Sequence, residues 1–401
     1  MNNINEELHP FHSWGMKIVK AKGVYLYNEA GKKFIDLTSS ASVVNIGYAN
    51  EKVIAAMQSQ LNQIIFCPPS CMSEEAEELA KKLIKLFPKH LNTILRVTTG
   101  SESVEVALKL AKRYTKRSKF LSFEHSYHGH TIASMAIGMN NNTKKDFLPL
   151  IESDTLHHPH IAKGANVDVT DESSALNEIE AKLRTRGYAA FVTETMATSA
   201  GNYMLSGKFF IRLREICDRY GTLLIIDEVL TGFGRTGKMF SFERSGIYPD
   251  IVCIAKGLGC GYAPIAATLT KREIAEGFDY FATFAWNPLA CKTASVVLDE
   301  YERLDLVNNS EKIGSKALSE LQQQIGNNQN VKEIRGLGLR ISIEFNEDGF
   351  FKKVKDGLLS KGIFPGTADL PNILTISPPL CITSEEMGYV IANLINIVNN
   401  E

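Results

Sequence analysis

Three short stretches of this sequence hold residues whose types and spacing could do chemistry. Lys256 follows the apolar run Ile251–Ile254 and is trailed by Gly257, Gly259 and Gly261. A lysine drawn out of water loses its preference for the ammonium form and becomes a nucleophile for an aldehyde, and glycines beside it would let backbone approach a flat ring. Asp227 ends a second apolar run that starts at Leu223. A carboxylate buried there needs a cation or hydrogen-bond donors, and a protonated ring nitrogen would serve. After a third run, Thr93–Val97, comes Thr98-Thr99-Gly100-Ser101-Glu102, with Thr99 and Glu102 at capping-box spacing. The first turn of the helix expected there offers free N–H groups, a glycine and a hydroxyl, the set a phosphate dianion needs. Each stretch also has an ordinary reading: a surface lysine, a salt-bridged acid, a capped helix. Together they supply a Schiff-base amine, a ring-nitrogen partner and a phosphate clamp, the three parts that pyridoxal 5′-phosphate (PLP) requires. Tyr127, within Ser126-Tyr127-His128-Gly129-His130, follows a fourth apolar run and could stack on the ring.

The elements that must position these residues are legible as alternation. Short β-branched runs over 93–97, 120–123, 189–193, 223–226 and 251–254 read as buried strands, and 74–86, 102–114 and 209–220 read as amphipathic helices. That pattern predicts an α/β fold with a mainly parallel sheet, whose ligands gather beyond the carboxyl ends of the strands. The opening segment reads as a β-hairpin turned at Gly31, and the tail from Leu304 alternates again, with a strand over 341–345 and a closing helix over 384–398. The expected division is a small-domain segment over 1–45, a large cofactor-binding domain over 46–300, and the rest of a small α+β domain over 301–401.

Composition limits the alternatives. Among 401 residues, 44% are hydrophobic and 22% charged, and the formal net charge is -1, so no positive field is available to hold nucleic acid or an anionic membrane. The seven cysteines are scattered without zinc-site spacing, and no metal is expected. Residues 1–14 are polar and acidic where a signal peptide would be basic and then apolar, which predicts a cytoplasmic protein. One rival motif, Gly232 to Lys238, nearly matches the P-loop of nucleotide triphosphatases, but Met239 stands where a Mg²⁺-binding hydroxyl belongs.

From about Gly23 to Thr383 the chain resembles the class III aminotransferases, fold type I of the PLP enzymes. The resemblance is most specific in the run from Asp227 through Thr231-Gly232-Phe233-Gly234-Arg235-Thr236-Gly237 to Lys238, in Pro249-Asp250-Ile251, and in Lys256-Gly257-Leu258-Gly259. Further blocks are Thr99 to Glu105, Tyr127 to Thr131, Thr283 to Ala290 and Ser377-Pro378-Pro379-Leu380. The resemblance implies transfer of an amino group from an amine donor to a carbonyl acceptor in ping-pong fashion. It makes Lys256 the Schiff-base residue and proton shuttle, Asp227 the partner of the ring nitrogen, Tyr127 the stacking residue and Val229 its counterpart on the opposite face. Gly100 and Ser101 would bind phosphate. Thr283 would reach the phosphate bound in a neighbouring subunit, implying a homodimer with shared sites. His128 and Glu194 also fall on family positions, in direct or supporting roles.

Three departures concern substrate. Leu230 stands where many members have a Gln for the cofactor's phenolic oxygen, and Thr375 and Ser199 stand where many have an Arg that grips an α-carboxylate and the Glu that pairs with it. Glutamate-1-semialdehyde aminomutases lack the same groups, so an aminomutase or racemase is the alternative on this fold.

Overall fold

The computed structural model describes residues 16–68, 70–138, 144–148, 151–161 and 171–400. The acidic N-terminal stretch therefore lies outside the described residues. Seven strands form the central sheet in the order β4-β12-β11-β10-β7-β5-β6: β4 (Thr93–Val97), β5 (Lys119–Phe123), β6 (Ser153–Leu156), β7 (Tyr188–Thr193), β10 (Leu223–Asp227), β11 (Ile251–Ile254) and β12 (Ala266–Thr270). Every residue of β7, β10, β11 and β12 is buried, as expected of strands covered on both faces. All neighbours are parallel except at β12, which runs antiparallel to both β11 and β4. Two antiparallel pairings restore the original direction, so β4, β5, β7, β10 and β11 all point their carboxyl ends to one side of the sheet. The sequence reading did not separate β12 from its surroundings.

The helix Gly100–Thr115 crosses one face of this sheet, burying Val104, Ala107, Leu108 and Ala111 against β7, β10, β11 and β12. Gly207–Tyr220 packs against β10 and buries Phe209, Phe210, Leu213 and Ile216, each contributing about 1.5–3 kcal/mol by leaving water. Its start is capped by Ser206, whose hydroxyl accepts from the Phe209 N–H at 3.1 Å, and it ends on Gly221 at φ +62°.

A two-stranded pair, β8 (Met196–Ala197) and β9 (Tyr203–Met204), and two four-stranded sheets complete the fold. β1 (Ile18–Lys22), β2 (Tyr25–Asn28) and β3 (Lys33–Asp36) form the expected hairpin region, turned at Gly31, and β3 is joined by β15 (Ile363–Phe364) from near the other end of the chain. β13 (Val331–Leu337), β14 (Arg340–Phe345), β17 (Ile373–Ile376) and β16 (Gly366–Thr367) form the other. Between β3 and the helix Glu51–Leu61, Ser39, Ser40, Ala41 and Ser42 all have φ between +46° and +62°. Four L-residues in a left-handed turn cost roughly 1–2 kcal/mol each, so their surroundings must hold them there. Among the described residues, no helix is long and apolar enough to cross a membrane.

Candidate active site

The shared direction of β4, β10 and β11 brings the three chemical stretches together. Asp227 pairs in register with Cys253, three residues before Lys256, and Val97 pairs with Ala266 on β12, whose Ala267 pairs with Ile254. The strand ends therefore open into one cavity of about 460 Å³ lined by Gly100, Ser101, Tyr127, His128, Glu194, Asp227, Val229 and Lys256, with Leu230 beside them.

Lys256 begins a 3-10 turn and projects into this space. Among the described residues its amine has neither a hydrogen-bond partner nor an ion pair. Burial holds its pKa below the ordinary lysine value, with the charge of Arg340 acting the same way and those of Asp227 and Glu194 opposing. Of the following glycines, two serve the protein's own packing rather than approach to a ring. A Cβ on Gly257 would lie 2.7 Å from Phe233 Cβ, and one on Gly259 would lie 2.0 Å from the Ala263 carbonyl oxygen. Only Gly261, at φ +80°, lines the cavity.

Asp227 is buried and doubly engaged: Oδ1 accepts from the Val229 N–H at 3.0 Å, and Oδ2 lies 2.7 Å from His128 Nδ1. Burial works against a charged imidazole, but the hydrogen bond and charge of Asp227, aided by Glu194, hold His128 above its ordinary pKa. His128 Nε2 is buried without a partner. Burial, reinforced by the charge of Asp227, pushes Glu194 up to about 7 against the opposing charge of His128 and hydrogen bonding from Thr198.

At the helix start Thr99 accepts from the Glu102 N–H at 3.2 Å, but Glu102 reaches the N–H of Thr98 rather than that of Thr99, at 2.7 Å. Ser101 Oγ accepts from the His130 N–H at 3.2 Å, tying the helix to the Tyr127-His128-Gly129 loop. A Cβ on Gly100 would lie 2.8 Å from Val229 Cγ1, so only glycine lets Val229 come this close. These groups fit PLP: an amine free of partners, a buried carboxylate, open N–H groups at a helix start, and an aromatic rim residue, Tyr127, that is 37% exposed.

Thr283 lies elsewhere. It is exposed and lines a separate cleft of about 230 Å³ with Phe66, Cys67, Cys71, Arg96 and Trp286. Phe66, Cys67, Cys71 and Trp286 thus sit outside the central cavity. Trp286 is a core residue whose Nε1 donates to the Ala266 carbonyl at 2.8 Å. The P-loop-like segment is no phosphate cradle, because residues 231–237 are buried and Arg235 donates to the Leu339 carbonyl at 3.0 Å and to Asn45 Oδ1 at 2.6 Å.

The central cavity continues into a second space of about 440 Å³, lined by Ser42, Ser199, Lys256, Arg340, Asp369 and Thr375 among others. Arg340 and Asp369 were not singled out from sequence. The signal was available: Arg340 opens the apolar strand Arg340–Phe345, where a charge on the inward face needs a reason.

The family described as aminotransferase class-III matches residues 8–398 of this chain. Among curated relatives, the acetylornithine aminotransferase of Methanopyrus kandleri is 31% identical over 390 residues, covering 96% of this chain and 95% of its own. That of Aquifex aeolicus is 32% identical over 396 residues, covering 96% and 97%. Among solved structures, a Bacillus anthracis aminotransferase superposes with a TM-score of 0.88 at 31% identity, over 100% of this chain and 96% of that one. An amine transaminase from an uncultivated Pseudomonas species, in its PLP-bound form, gives 0.91 at 28% identity, over 100% and 99%.

Proposed function

This chain belongs to the class III aminotransferases and is a PLP-dependent aminotransferase, and we propose that Lys256 is the residue to which its cofactor is bound and the base of its reaction. The observation that carries this reading is convergence: Lys256, Asp227 and the helix start at Gly100 and Ser101 line one cavity. When bound, PLP supplies an electron sink that lets a proton leave the carbon bearing the donor's amino group. Lys256 Nζ, whose hold on a proton is weakened by burial, is the group placed to take that proton and hand it on. Asp227 holds a proton on the ring nitrogen, and His128 fixes the carboxylate that does so by occupying Oδ2. The N–H groups of Gly100 and Ser101 would hold the phosphate, and Tyr127 and Val229 would pack against the ring. Glu194, whose carboxylate accepts from the Thr198 N–H at 3.3 Å, acts on His128 and Lys256 through its charge.

The finer reading includes a homodimer in which Thr283 completes the partner's site. What supports it is the position of Thr283 on an exposed surface with Phe281 and Phe284, which are 62% and 67% exposed. It also includes large and small domains divided near residues 45 and 300, supported by the pairing of β3 with β15 across the chain.

The relatives named acetylornithine aminotransferase make amino acids the first donors to test. The absorption spectrum of the purified protein, recorded before and after adding α-amino acids, ω-amino acids and simple amines, is the test. A visible cofactor band that bleaches with one donor class is expected. Lys256→Ala should lose the covalently linked band and slow the half-reaction by about 10²- to 10⁴-fold or more. A band that no donor bleaches would move the reaction toward internal transfer, and an unaltered band in K256A would remove Lys256 from its proposed role.

A further inference from the structure

Arg340 is a buried cation that lines the cavity with no carboxylate in contact with it among the described residues. It is 7% exposed. Its guanidinium is held by neutral acceptors: Nε donates to Asn202 Oδ1 at 2.8 Å, Nη2 to the Thr198 carbonyl at 3.0 Å, and Nη1 only distantly to Ser42 Oγ at 3.4 Å. Five N–H groups are available and three are used. Among the described residues no carboxylate pairs with it; Glu194 and Asp369 act on it only through space.

Of the two other buried arginines among the described residues, one is paired with carboxylates and one is not. Arg335 pairs with Glu333 and Glu344, each at 2.7 Å. Arg235 also lacks a carboxylate, but its donors go to backbone carbonyls and to Ser39 and Asn45, and it does not line the cavity. Burying a charge without a counter-ion costs several kcal/mol, and a cavity that opens onto the uncompensated group is where an anion would recover that cost.

The location bears on what the anion is. β14 lies beside β17, with Ser342 opposite Thr375 and Ile341 opposite Ile376. Arg340 and Ser342 are two residues apart and so share a face of β14, and Arg340 and Thr375 line the same space as Lys256. A guanidinium from the neighbouring strand therefore enters the pocket whose own strand offers only a threonine. Ser42, from the left-handed turn, and Ser199 add hydroxyls to this space, and Asp369 is the one acid among its lining residues.

We propose that Arg340 is the substrate-carboxylate anchor of this enzyme, a specificity-determining residue supplied from β14 where Thr375 on β17 cannot serve. The proposal rests on the reading that Lys256 is the reaction centre of this cavity. It assigns the enzyme to donors and acceptors that carry a carboxylate, gripped by the two N–H groups of Arg340 that the protein leaves unused.

The test uses the PLP-loaded full chain as wild type, Arg340→Gln and Arg340→Lys. Two readouts are taken: single-turnover loss of the cofactor band with carboxylate donors (alanine, β-alanine, 4-aminobutanoate) against neutral amines (1-aminobutane, 1-phenylethylamine), and calorimetric binding of glutarate, which has no amino group to react. Wild type should bind glutarate and prefer one or more carboxylate donors. R340Q should lose roughly 100-fold with carboxylate donors and in glutarate binding, while neutral amines change less than about threefold. R340K, which keeps the charge without the fork and so guards against a folding defect in R340Q, should lose roughly tenfold on the carboxylates alone. Equal losses on both donor classes, or glutarate binding unchanged in R340Q and R340K, would overturn the proposal. If wild type bleaches with no donor, transfer to an external acceptor fails as the reaction of this site, an unaltered band in K256A removes Lys256 from its role, and glutarate binding still decides the role of Arg340.

Discussion

Asp227 and Glu228 are adjacent acids at the end of one apolar strand, and they face opposite environments. Asp227 lines the cavity, with His128 and the Val229 N–H as its partners. Glu228 turns into the core, where its oxygens accept from Thr231 Oγ1 at 2.6 Å and the Phe242 N–H at 2.8 Å. Asp227→Ala would leave His128 with both ring nitrogens unpartnered in a buried setting. It should weaken PLP binding and cut half-reaction rates by about 100-fold or more, read by equilibrium dialysis and stopped-flow absorbance. Glu228 should instead show itself in stability. Burial raises its pKa from 4.5 to about 7, so the folded state holds a proton that the unfolded state has already released. A raised folded pKa contributes stability below the unfolded value and loses it as pH rises through the folded one. Between about pH 4.5 and 7, the wild type should therefore lose stability relative to Glu228→Gln, by an amount on the order of 3 kcal/mol, and the difference should level off above that window. Urea unfolding across this range measures it. Glu194 shifts in the same direction and leaves some of the slope in place.

At the scale of elements, the turn after β11 is more constrained than its glycines suggest. Sequence offered Gly257, Gly259 and Gly261 as freedom for a ring to approach. The fold uses the first two to bring Phe233 and the Ala263 carbonyl against the backbone beside Lys256. Gly259→Ala must move a backbone oxygen that would lie 2.0 Å from the new Cβ, which should destabilise the protein by about 1–3 kcal/mol and loosen the positioning of Lys256. A drop in midpoint on urea titration accompanied by weaker PLP retention is expected; unchanged retention would mean the turn's shape does not reach the lysine. The helix Gly100–Thr115 shows a similar economy. Thr99 and Glu102 do cap its start, but the second arm of the capping box lands on Thr98, leaving the Thr99 and Gly100 side of the helix mouth open to the cavity.

For the whole molecule, the exposed aromatic surface around Thr283 belongs to the proposed dimer. Phe66 and Phe284 meet edge to face with centroids 5.4 Å apart, beside Ile64 and Ile65, which are 43% and 49% exposed. Phe284→Asp should shift sedimentation from the dimer to the monomer mass and weaken PLP retention together, because the proposed shared site would lose its neighbour. A dimer that persists with full cofactor would move the interface elsewhere.

The local sequence by itself determined the strand cores, the hairpin at Gly31 and the course of the helices, though not every start, and singled out Lys256, Asp227, Gly100 and Ser101 as a set, because apolar periodicity and capping act over a few residues. Family likeness added Val229, His128 and Glu194, which line the cavity with Tyr127. The antiparallel insertion of β12, the left-handed turn at Ser39–Ser42 and the placement of Arg340 depended on the tertiary structure. Strand order and direction are fixed by which sheets bury which faces, and a left-handed backbone persists only where surrounding contacts outweigh its strain. Most plainly, the loss of an arginine at Thr375 is visible in one chain position, whereas its replacement from Arg340 exists only because β14 and β17 lie side by side.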